Sequence, residues 1–383
     1  MKRLYRLLAV LLACVLIAAI LPRARAVSAL DHDPHDVEKL AAFFGTTSPS
    51  GALNGVSING SGFDIEDPST WTQCTWDSSG RLSTLVFDNL GFAVGGELDL
   101  SGCTGLTLLQ ARDCQITRVD VSDCTALAAL YVTGNRITEL DHSNTPALTA
   151  LWFDHNSITQ ADLSGNPLLT SFDCSYNPIT ELDVTCCPGL TVLRCCNTGV
   201  SVLDVTNCTE LTELNCKSTL IEELDISGLS HLQLFYCFNT RIRHLDVSAF
   251  NGGESFTIDA VGLGSIGFRT YLGSSTVYKA SSLPLDGGIF RGWYLDGELV
   301  SEDADFTLPF GSGPRELKAY FYEMGDVDHS LRIDSADALL VLRLALGIID
   351  ESSIDTVLAD YNGDGVINTV DALLILRKAL GIA

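Results

Sequence analysis

The chain has 383 residues, of which 46% are hydrophobic, and it carries a formal net charge of −25. Its length and hydrophobic content are sufficient for two or three domains with buried cores. An excess of carboxylates on this scale argues against nucleic acid and anionic membranes as partners, because both would be repelled.

Residues 1–29 have the pattern of a secretory signal peptide. Basic residues open the chain, residues 7–21 are apolar, and small residues offer cleavage after Ala26 or Ala29. The apolar run is too short to cross a bilayer comfortably, and no other segment approaches the ~18 apolar residues of a membrane helix. We therefore expect a secreted, extracellular protein without a membrane span.

Residues 30–81 lie ahead of a regular repeat and are predicted to form its N-terminal cap. Apolar residues over 37–44 indicate a helix, and a stretch rich in tryptophan follows it. A stack of repeats exposes an apolar face at each end unless that face is covered. Trp71 and Trp76 are therefore interpreted as packing residues rather than ligand contacts.

A 21-residue repeat fills the middle of the chain. Its clearest mark is an aspartate that recurs at constant spacing within an LDVS-like phrase. The eight aspartates are Asp99, Asp120, Asp141, Asp162, Asp183, Asp204, Asp225 and Asp246. Each unit predicts one coil that cannot cover its own apolar face, so that stacked coils share a continuous core.

The phrase LxxLxCxxNxIxxLDVS resembles a short bacterial variant of the leucine-rich repeat family, and we assign residues 82–250 to it. The resemblance implies a leucine-rich repeat α/β solenoid with one short parallel strand per coil. Leu130 and Val132 are expected to point into the core and Tyr131 outward. Asn135 and its equivalents are expected to turn the chain and bond backbone groups, and the repeated aspartate to cap a turn.

The cysteines share the phase of the repeat. Four follow the aspartate by four residues and four follow it by twelve. They are Cys103, Cys124, Cys187 and Cys208, then Cys174, Cys195, Cys216 and Cys237. We interpret them as buried thiols that replace small apolar residues. The alternatives are some disulfides, a metal site at Cys186–Cys187 and Cys195–Cys196, or a nucleophile pair of Cys196 with His155.

Residues 251–322 lose the repeat and alternate like strands between glycine-rich turns. The stretch GGIFRGWYLDGELVSED resembles the FxGWYxDG core of small bacterial extracellular repeat modules. That resemblance implies a small β-grasp-like module. We expect Trp293 and Tyr294 to belong to its core rather than to a sugar site.

Two segments near the C-terminus match the EF-hand-like loop that takes oxygen ligands at positions 1, 3, 5, 7, 9 and 12 around Ca²⁺. The second loop offers Asp360, Asn362, Asp364, the Val366 carbonyl, Asn368 and Asp371. The first offers Asp326, Asp328, Ser330, the Arg332 carbonyl, Asp334 and Asp337. The first is expected to bind calcium more weakly, because Ser330 replaces the usual Asp and Leu331 stands where a left-handed turn favours glycine.

Nearly the same helix follows each loop, ALLVLRLALG and then ALLILRKALG. This duplicated unit closely resembles a type I dockerin, which we assign to residues 323–383. Dockerins bind a cohesin module of a scaffoldin in cellulosomes and related polysaccharide-degrading assemblies, and their two similar halves allow two binding orientations. The resemblance implies cohesin contacts at Ser335, Ala336, Arg343, Thr369, Val370, Arg377 and Lys378.

Outward-facing strand positions of the solenoid form a candidate ligand face. The residues there include Tyr131, Trp152, Asp173, Arg194, Asn215 and Tyr236. Aromatic side chains are favoured at interface centres, so a protein or a polysaccharide is the expected ligand. The alternative is that these side chains only cover the sheet.

The segments together predict a non-catalytic extracellular binding or adhesion subunit, held on a scaffold or at the cell surface through its dockerin. One alternative is a component linked to polysaccharide catabolism or O-glycosyl hydrolase activity by its dockerin. Another is a protease inhibitor or a structural spacer. Once the signal peptide, the repeats, the small β module and the dockerin are assigned, only the cap over residues 30–81 remains. A glycoside hydrolase needs a larger domain than this to hold its two carboxylates in a cleft.

Overall fold

The computed structural model describes residues 32–251, 255–271, 277–310 and 314–382. The predicted signal peptide lies outside the described residues. Within them, no helix combines the length and the apolar character needed to span a bilayer. The helices are α1 (Pro34–Phe44), α2 (Asn54–Asn59), α3 (Ser335–Ala345), α4 (Thr356–Ala359) and α5 (Thr369–Ala379).

The strands fall into two groups along the chain. Those of the cap and solenoid are β1 (Cys74–Trp76), β2 (Leu82–Asp88), β3 (Gly95–Asp99), β4 (Leu108–Arg112), β5 (Gln115–Asp120), β6 (Ala129–Tyr131), β7 (Glu139–Asp141), β8 (Ala150–Trp152), β9 (Ser171–Asp173), β10 (Val192–Arg194), β11 (Glu213–Asn215), β12 (Leu234–Tyr236) and β13 (His244–Asp246). Those that follow are β14 (Phe256–Gly262), β15 (Gly264–Tyr271), β16 (Val277–Pro284), β17 (Gly288–Leu295), β18 (Glu298–Ser301), β19 (Asp305–Thr307) and β20 (Arg315–Glu323).

The repeats form the predicted solenoid. Strands β2, β4, β6 and β8 to β12 lie side by side in one parallel sheet, one strand per coil. Leu130 pairs with Leu109 before it and Leu151 after it, and all three are fully buried. As predicted, Leu130 and Val132 point into the core and Tyr131 points outward, half-buried.

The return side carries the short strands β3, β5 and β7 in the first coils and β13 in the last, and the coils between them hold turns there. The solenoid is therefore a β-solenoid, and the helical part of the expected α/β form is absent from the described residues between β2 and β13, apart from a single 3₁₀ turn at Gly91–Ala93. A coil of 21 residues leaves too few residues for a helix after one strand and two turns.

The repeated polar residues hold the turns together, as predicted. The carboxylate of each of the eight aspartates accepts a hydrogen bond from the backbone N–H two residues later, at 2.9–3.1 Å. Asn177 donates to the carbonyls of Phe153 and Cys174 at 3.0 and 3.1 Å, and it accepts from the Ile158 N–H at 2.9 Å. Later coils use threonine there, and Thr219 only donates to the Cys216 carbonyl at 2.7 Å.

The described cysteines are free thiols, and all of them except Cys186 are buried. Burial raises the pKa of the Cys237 thiol to about 12 and holds that of Cys174 well above its usual value. These thiols are therefore protonated and act as core residues. In the described part of the chain, the clustered metal-ligating groups do not include the pairs Cys186–Cys187 and Cys195–Cys196.

Aromatic packing closes the N-terminal end of the solenoid. Trp71 is almost fully buried and meets Phe44 edge-on, with ring centroids 5.1 Å apart. The Asp36 carboxylate accepts from the Leu82 N–H at 2.8 Å, and Lys39 pairs with Asp99 at 2.6 Å. Residues 32–81 therefore cover the N-terminal end of the stack.

Strands β14 to β20 close the C-terminal end by joining the solenoid sheets. Strand β15 pairs antiparallel with β12 at Tyr236 and Arg269, and the Cys237 N–H donates to the Phe268 carbonyl at 2.9 Å. Strand β14 pairs antiparallel with β13. We call residues 255–323 the β module. It covers the apolar end of the stack.

The predicted β-grasp-like form of this module is not confirmed. Its strands are shared between two sheets, β15, β16 and β19 in the long sheet and β14, β20, β17 and β18 in another with β13. Trp293 is fully buried, as its assignment to the core requires, whereas Tyr294 is half-buried.

Candidate calcium-binding and docking site

The second C-terminal loop folds around the side chains of its first and last predicted ligands. The Asp360 carboxylate accepts from the N–H groups of Asp364 and Gly365, at 3.1 and 2.8 Å. The fully buried Asp371 carboxylate accepts from Asn362 and Asn368, at 3.2 and 2.9 Å. These bonds draw both ends of the loop together and start helix α5 with a capping box.

The first loop repeats this arrangement. Asp326 accepts from the Ser330 and Leu331 N–H groups at 2.9 and 3.0 Å. Asp337 accepts from Val327 and Asp334, both at 2.9 Å, and starts α3 with a capping box. The same backbone path thus arises from two sequences whose ligand positions are 34 residues apart.

The two loops differ in backbone strain. In the second loop, glycine occupies both left-handed positions, Gly363 with φ 69° and Gly365 with φ 82°. In the first, His329 and Leu331 adopt φ values of 61° and 65°. A left-handed conformation costs a residue with a side chain roughly 1–2 kcal/mol. The left-handed turn expected at Leu331 is present, and His329 adopts one as well.

The donor groups of both loops fit calcium. Carboxylate, amide and carbonyl oxygens are the ligands that this hard cation prefers. Carboxylate oxygens of Asp326, Asp328 and Asp337 lie within 4.8 Å of one another. Burial and the neighbouring carboxylates raise the pKa of Asp326 to about 6, because they disfavour its charged form. A bound cation would stabilise that charged form.

The two helices that follow the loops pack against each other and leave an open apolar groove on their outer side. The groove has a volume of about 610 Å³. Its walls include Leu339 and Leu373, which are 54% and 57% exposed, and Ser335 and Thr369, the first residues of α3 and α5. Exposed apolar side chains grouped in this way are typical of protein interaction sites.

Residues 324–380 match the protein family described as Dockerin type I domain. These residues form a type I dockerin. Comparison with curated proteins gives no significant match.

Solved structures similar to the chain include leucine-rich repeat proteins. The functional domain of InlJ from Listeria monocytogenes, described as including a cysteine ladder, is 24% identical over 67% of this chain and 69% of its own, with a TM-score of 0.36. An internalin from the same species, inlF, is 22% identical over 49% of this chain and 55% of its own, with a TM-score of 0.37. The chain thus spans about half of the second structure.

All of the residues that the dockerin resemblance assigns to cohesin binding lie exposed. They are Ser335, Ala336, Arg343, Thr369, Val370, Arg377 and Lys378. Lys378 also pairs with Glu323 of strand β20 at 2.9 Å. Of these residues, Ser335 and Thr369 line the groove.

Leu339 and Leu373 were not predicted as groove residues. Each directly precedes another leucine in the repeated helix, and both leucines of the pair fit core positions. The signal was available, because two adjacent leucines on a helix cannot both face the same narrow core. Arg291 and His329, which bond the dockerin to the β module, carry no such signal in the sequence.

The six residues predicted for the solenoid ligand face form one row across strands β6 and β8 to β12. The Tyr131 and Trp152 rings meet edge-on with centroids 5.1 Å apart, and the Arg194 guanidinium lies 5.6 Å from the Trp152 ring. Arg194 is also bonded to Glu213 at 2.6 Å. Five of the six are half-buried, whereas Asp173 is only 7% exposed.

Asp173 gives the solenoid a predictable pH dependence. Burial, together with the charge of Asp154, raises the pKa of Asp173 from 3.8 to about 6. The raised pKa means that the folded state favours the protonated acid, so stability falls as pH rises from about 4 to about 6. We expect Asp173→Asn, which keeps the acceptor for the Ser175 N–H, to become more stable than the wild type across this range, by up to about 3 kcal/mol at pH 7.

Urea unfolding of both proteins at several pH values measures this difference. Asp204→Asn is the matched control, because hydrogen bonds from Thr206 lower the pKa of Asp204 and give the opposite sign. A stability difference between Asp173→Asn and the wild type that does not change between pH 4 and pH 7 would contradict the prediction.

Proposed function

We propose that the protein is a non-catalytic extracellular binding subunit that its dockerin attaches to a cohesin of a scaffoldin, in a cellulosome-like assembly for polysaccharide degradation. The observation that carries the proposal is the exposed groove between α3 and α5, which two calcium-type loops position. Dockerin-containing proteins are generally extracellular, which agrees with the predicted signal peptide.

Calcium has a structural role in this proposal. The second loop would hold it through Asp360, Asn362, Asp364, the Val366 carbonyl, Asn368 and Asp371, and the first through Asp326, Asp328, Ser330, the Arg332 carbonyl, Asp334 and Asp337. The bound ion neutralises the carboxylates and fixes the start of each helix. The first loop is the weaker site, because its two left-handed side chains oppose the required backbone path.

The solenoid face supplies the second binding function, toward a protein or a glycan. The half-buried rings of Tyr131 and Trp152 support it, as does the stack of His155 on Tyr176, with centroids 4.1 Å apart. His155 and Tyr176 both have positive φ, 55° and 54°. The same left-handed position recurs at Asn197, Ser218 and Asn239, so it belongs to the turn of each coil and presents both rings at equivalent places.

Cohesin binding tests the proposal. The full chain is expected to bind a cohesin from a panel of scaffold modules when calcium is present and to lose binding when calcium is chelated. Ser335→Asp combined with Thr369→Asp places two charges in the apolar groove. The helices should persist in this variant, because Asp is favourable in the first turn of a helix. The double variant is expected to bind about 100-fold more weakly, the scale of removing hot-spot residues.

Ser352→Asp is the matched control, since Ser352 is exposed and lies outside the groove. Isothermal titration with each variant gives the affinities, and circular dichroism confirms that the helices persist. Cohesin binding that survives both chelation and the double substitution would exclude the proposed docking surface.

A further inference from the structure

The first calcium loop contains two strained residues that the second loop avoids. His329 and Leu331 occupy left-handed conformations where Gly363 and Gly365 stand in the second loop. Side chains at such positions are tolerated only when surrounding structure holds them. The contacts that hold them identify what the first loop depends on.

Both strained residues contact the β module. The His329 ring stacks on Tyr322 of strand β20, with centroids 4.1 Å apart and planes 8° from parallel. Leu331 lies against Gly262 of strand β14, so closely that a Cβ atom on this glycine would come within 3.3 Å of the leucine side chain. Only two residues separate β20 from Asp326, the first predicted ligand.

A buried carboxylate links the same histidine to a second strand of the module. Asp355, whose side chain is 2% exposed, lies 3.0 Å from the His329 Nε2 atom. Arg291 of strand β17 donates from Nε to the same Asp355 oxygen at 2.6 Å. The other Asp355 oxygen accepts from the Val357 N–H at 3.0 Å and caps α4. Arg291, Asp355 and His329 therefore form one hydrogen-bonded chain from the module to the loop.

The second loop has no comparable support at these positions among the described residues. A Cβ atom on Gly363 or Gly365 would meet no atom within 4 Å. Its left-handed turns need no brace, because glycine adopts them freely. The two halves of the dockerin are thus alike in sequence but differ in what surrounds them.

We propose that the β module braces the first calcium loop. Arg291 acts through Asp355, and Tyr322 through its ring, to hold His329 in the conformation that brings the loop's ligands together. Gly262 gives Leu331 the space that its conformation requires. The calcium affinity of the first loop, and not that of the second, therefore depends on the module that precedes it. The inference rests on the proposed calcium binding of this loop.

Calcium titration of the full chain tests the brace. Isothermal titration gives the two affinities, and NMR spectra that follow the Leu331 and Gly365 amides assign them to the loops. Arg291→Ala is expected to weaken calcium at the first loop about tenfold and to leave the second loop unchanged. The matched control is Arg315→Ala, because Arg315 has nearly the same side-chain exposure, 30% against 31%, and pairs with Asp296 in the same module.

A variant without the two strained side chains distinguishes the proposed brace from a general loss of stability. His329→Gly combined with Leu331→Gly gives the first loop the glycines of the second, so adding Arg291→Ala is expected to change its calcium affinity no further. If Arg291→Ala changes the calcium affinities no more than Arg315→Ala does, or lowers the affinity of both loops equally, the proposed brace is wrong while calcium binding stands. If the wild type binds no calcium, the proposed function and the brace both fail.

Discussion

Asp371→Ala is expected to abolish calcium binding at the second loop, and calcium-dependent cohesin binding with it. This buried carboxylate is the last predicted ligand, closes the loop on Asn362 and completes the capping box of α5. Losing a partner that only orients a ligand weakens metal binding by about 10–100-fold, so removing the ligand itself should exceed that range. Lost capping adds about 1 kcal/mol.

Calcium titration and cohesin titration of the full chain measure the effect. Asp350→Ala is the control, because Asp350 is an exposed aspartate of the dockerin outside both loops. Asp337→Ala makes the equivalent change in the first loop and should remove the weaker of the two sites. Two sites of equal affinity in the wild type would contradict the assignment of the first loop as the weaker one.

Asn177→Ala is expected to destabilise the solenoid by about 3–4 kcal/mol, since it leaves several buried backbone groups without partners and each costs roughly 1–3 kcal/mol. The Ile158 N–H loses its acceptor, and the Phe153 and Cys174 carbonyls lose a shared donor. Asn177→Thr should fall between the wild type and Asn177→Ala, because a hydroxyl restores one bond.

Thr219→Ala provides the comparison within the same column of the repeat. Thr219 makes a single bond, to the Cys216 carbonyl, so its removal should cost only about 1 kcal/mol. Urea unfolding, with hydrogen exchange at the Ile158 amide, gives both values. Equal losses for Asn177→Ala and Thr219→Ala would show that the asparagine is not a main support of the coil.

The solenoid was predictable because its information is local and repeated. Leu130, Val132 and Asn177 recur in phase with the aspartate, and each copy reports the same inward position or the same turn. The dockerin loops were predictable for a similar reason, since ligand spacing and the following helix occur twice. What the repeat could not indicate is the return side of the coil, where the same turn residues suit a short strand as well as a helix.

The contacts between modules were not predictable from the sequence. Arg291 and Asp355 lie 64 residues apart, and neither stands in a motif. Tyr236 and Arg269 pair strands β12 and β15 of one sheet, although the two segments differ in sequence pattern, because the end of the stack needs any strand that can continue its hydrogen bonds. Such pairings depend on how the folded modules pack against each other, and neither the composition nor the repeat spacing of the sequence indicates that packing.

The pairing of β14 with β20 determines how tension passes along the molecule. The two strands run parallel over seven paired residues, from Phe256 with Arg315 to Gly262 with Phe321. The solenoid joins the start of β14, and the dockerin leaves from the end of β20. Under the proposed function, a pull between the scaffold and a ligand on the solenoid would therefore shear the whole ladder at once instead of unzipping it.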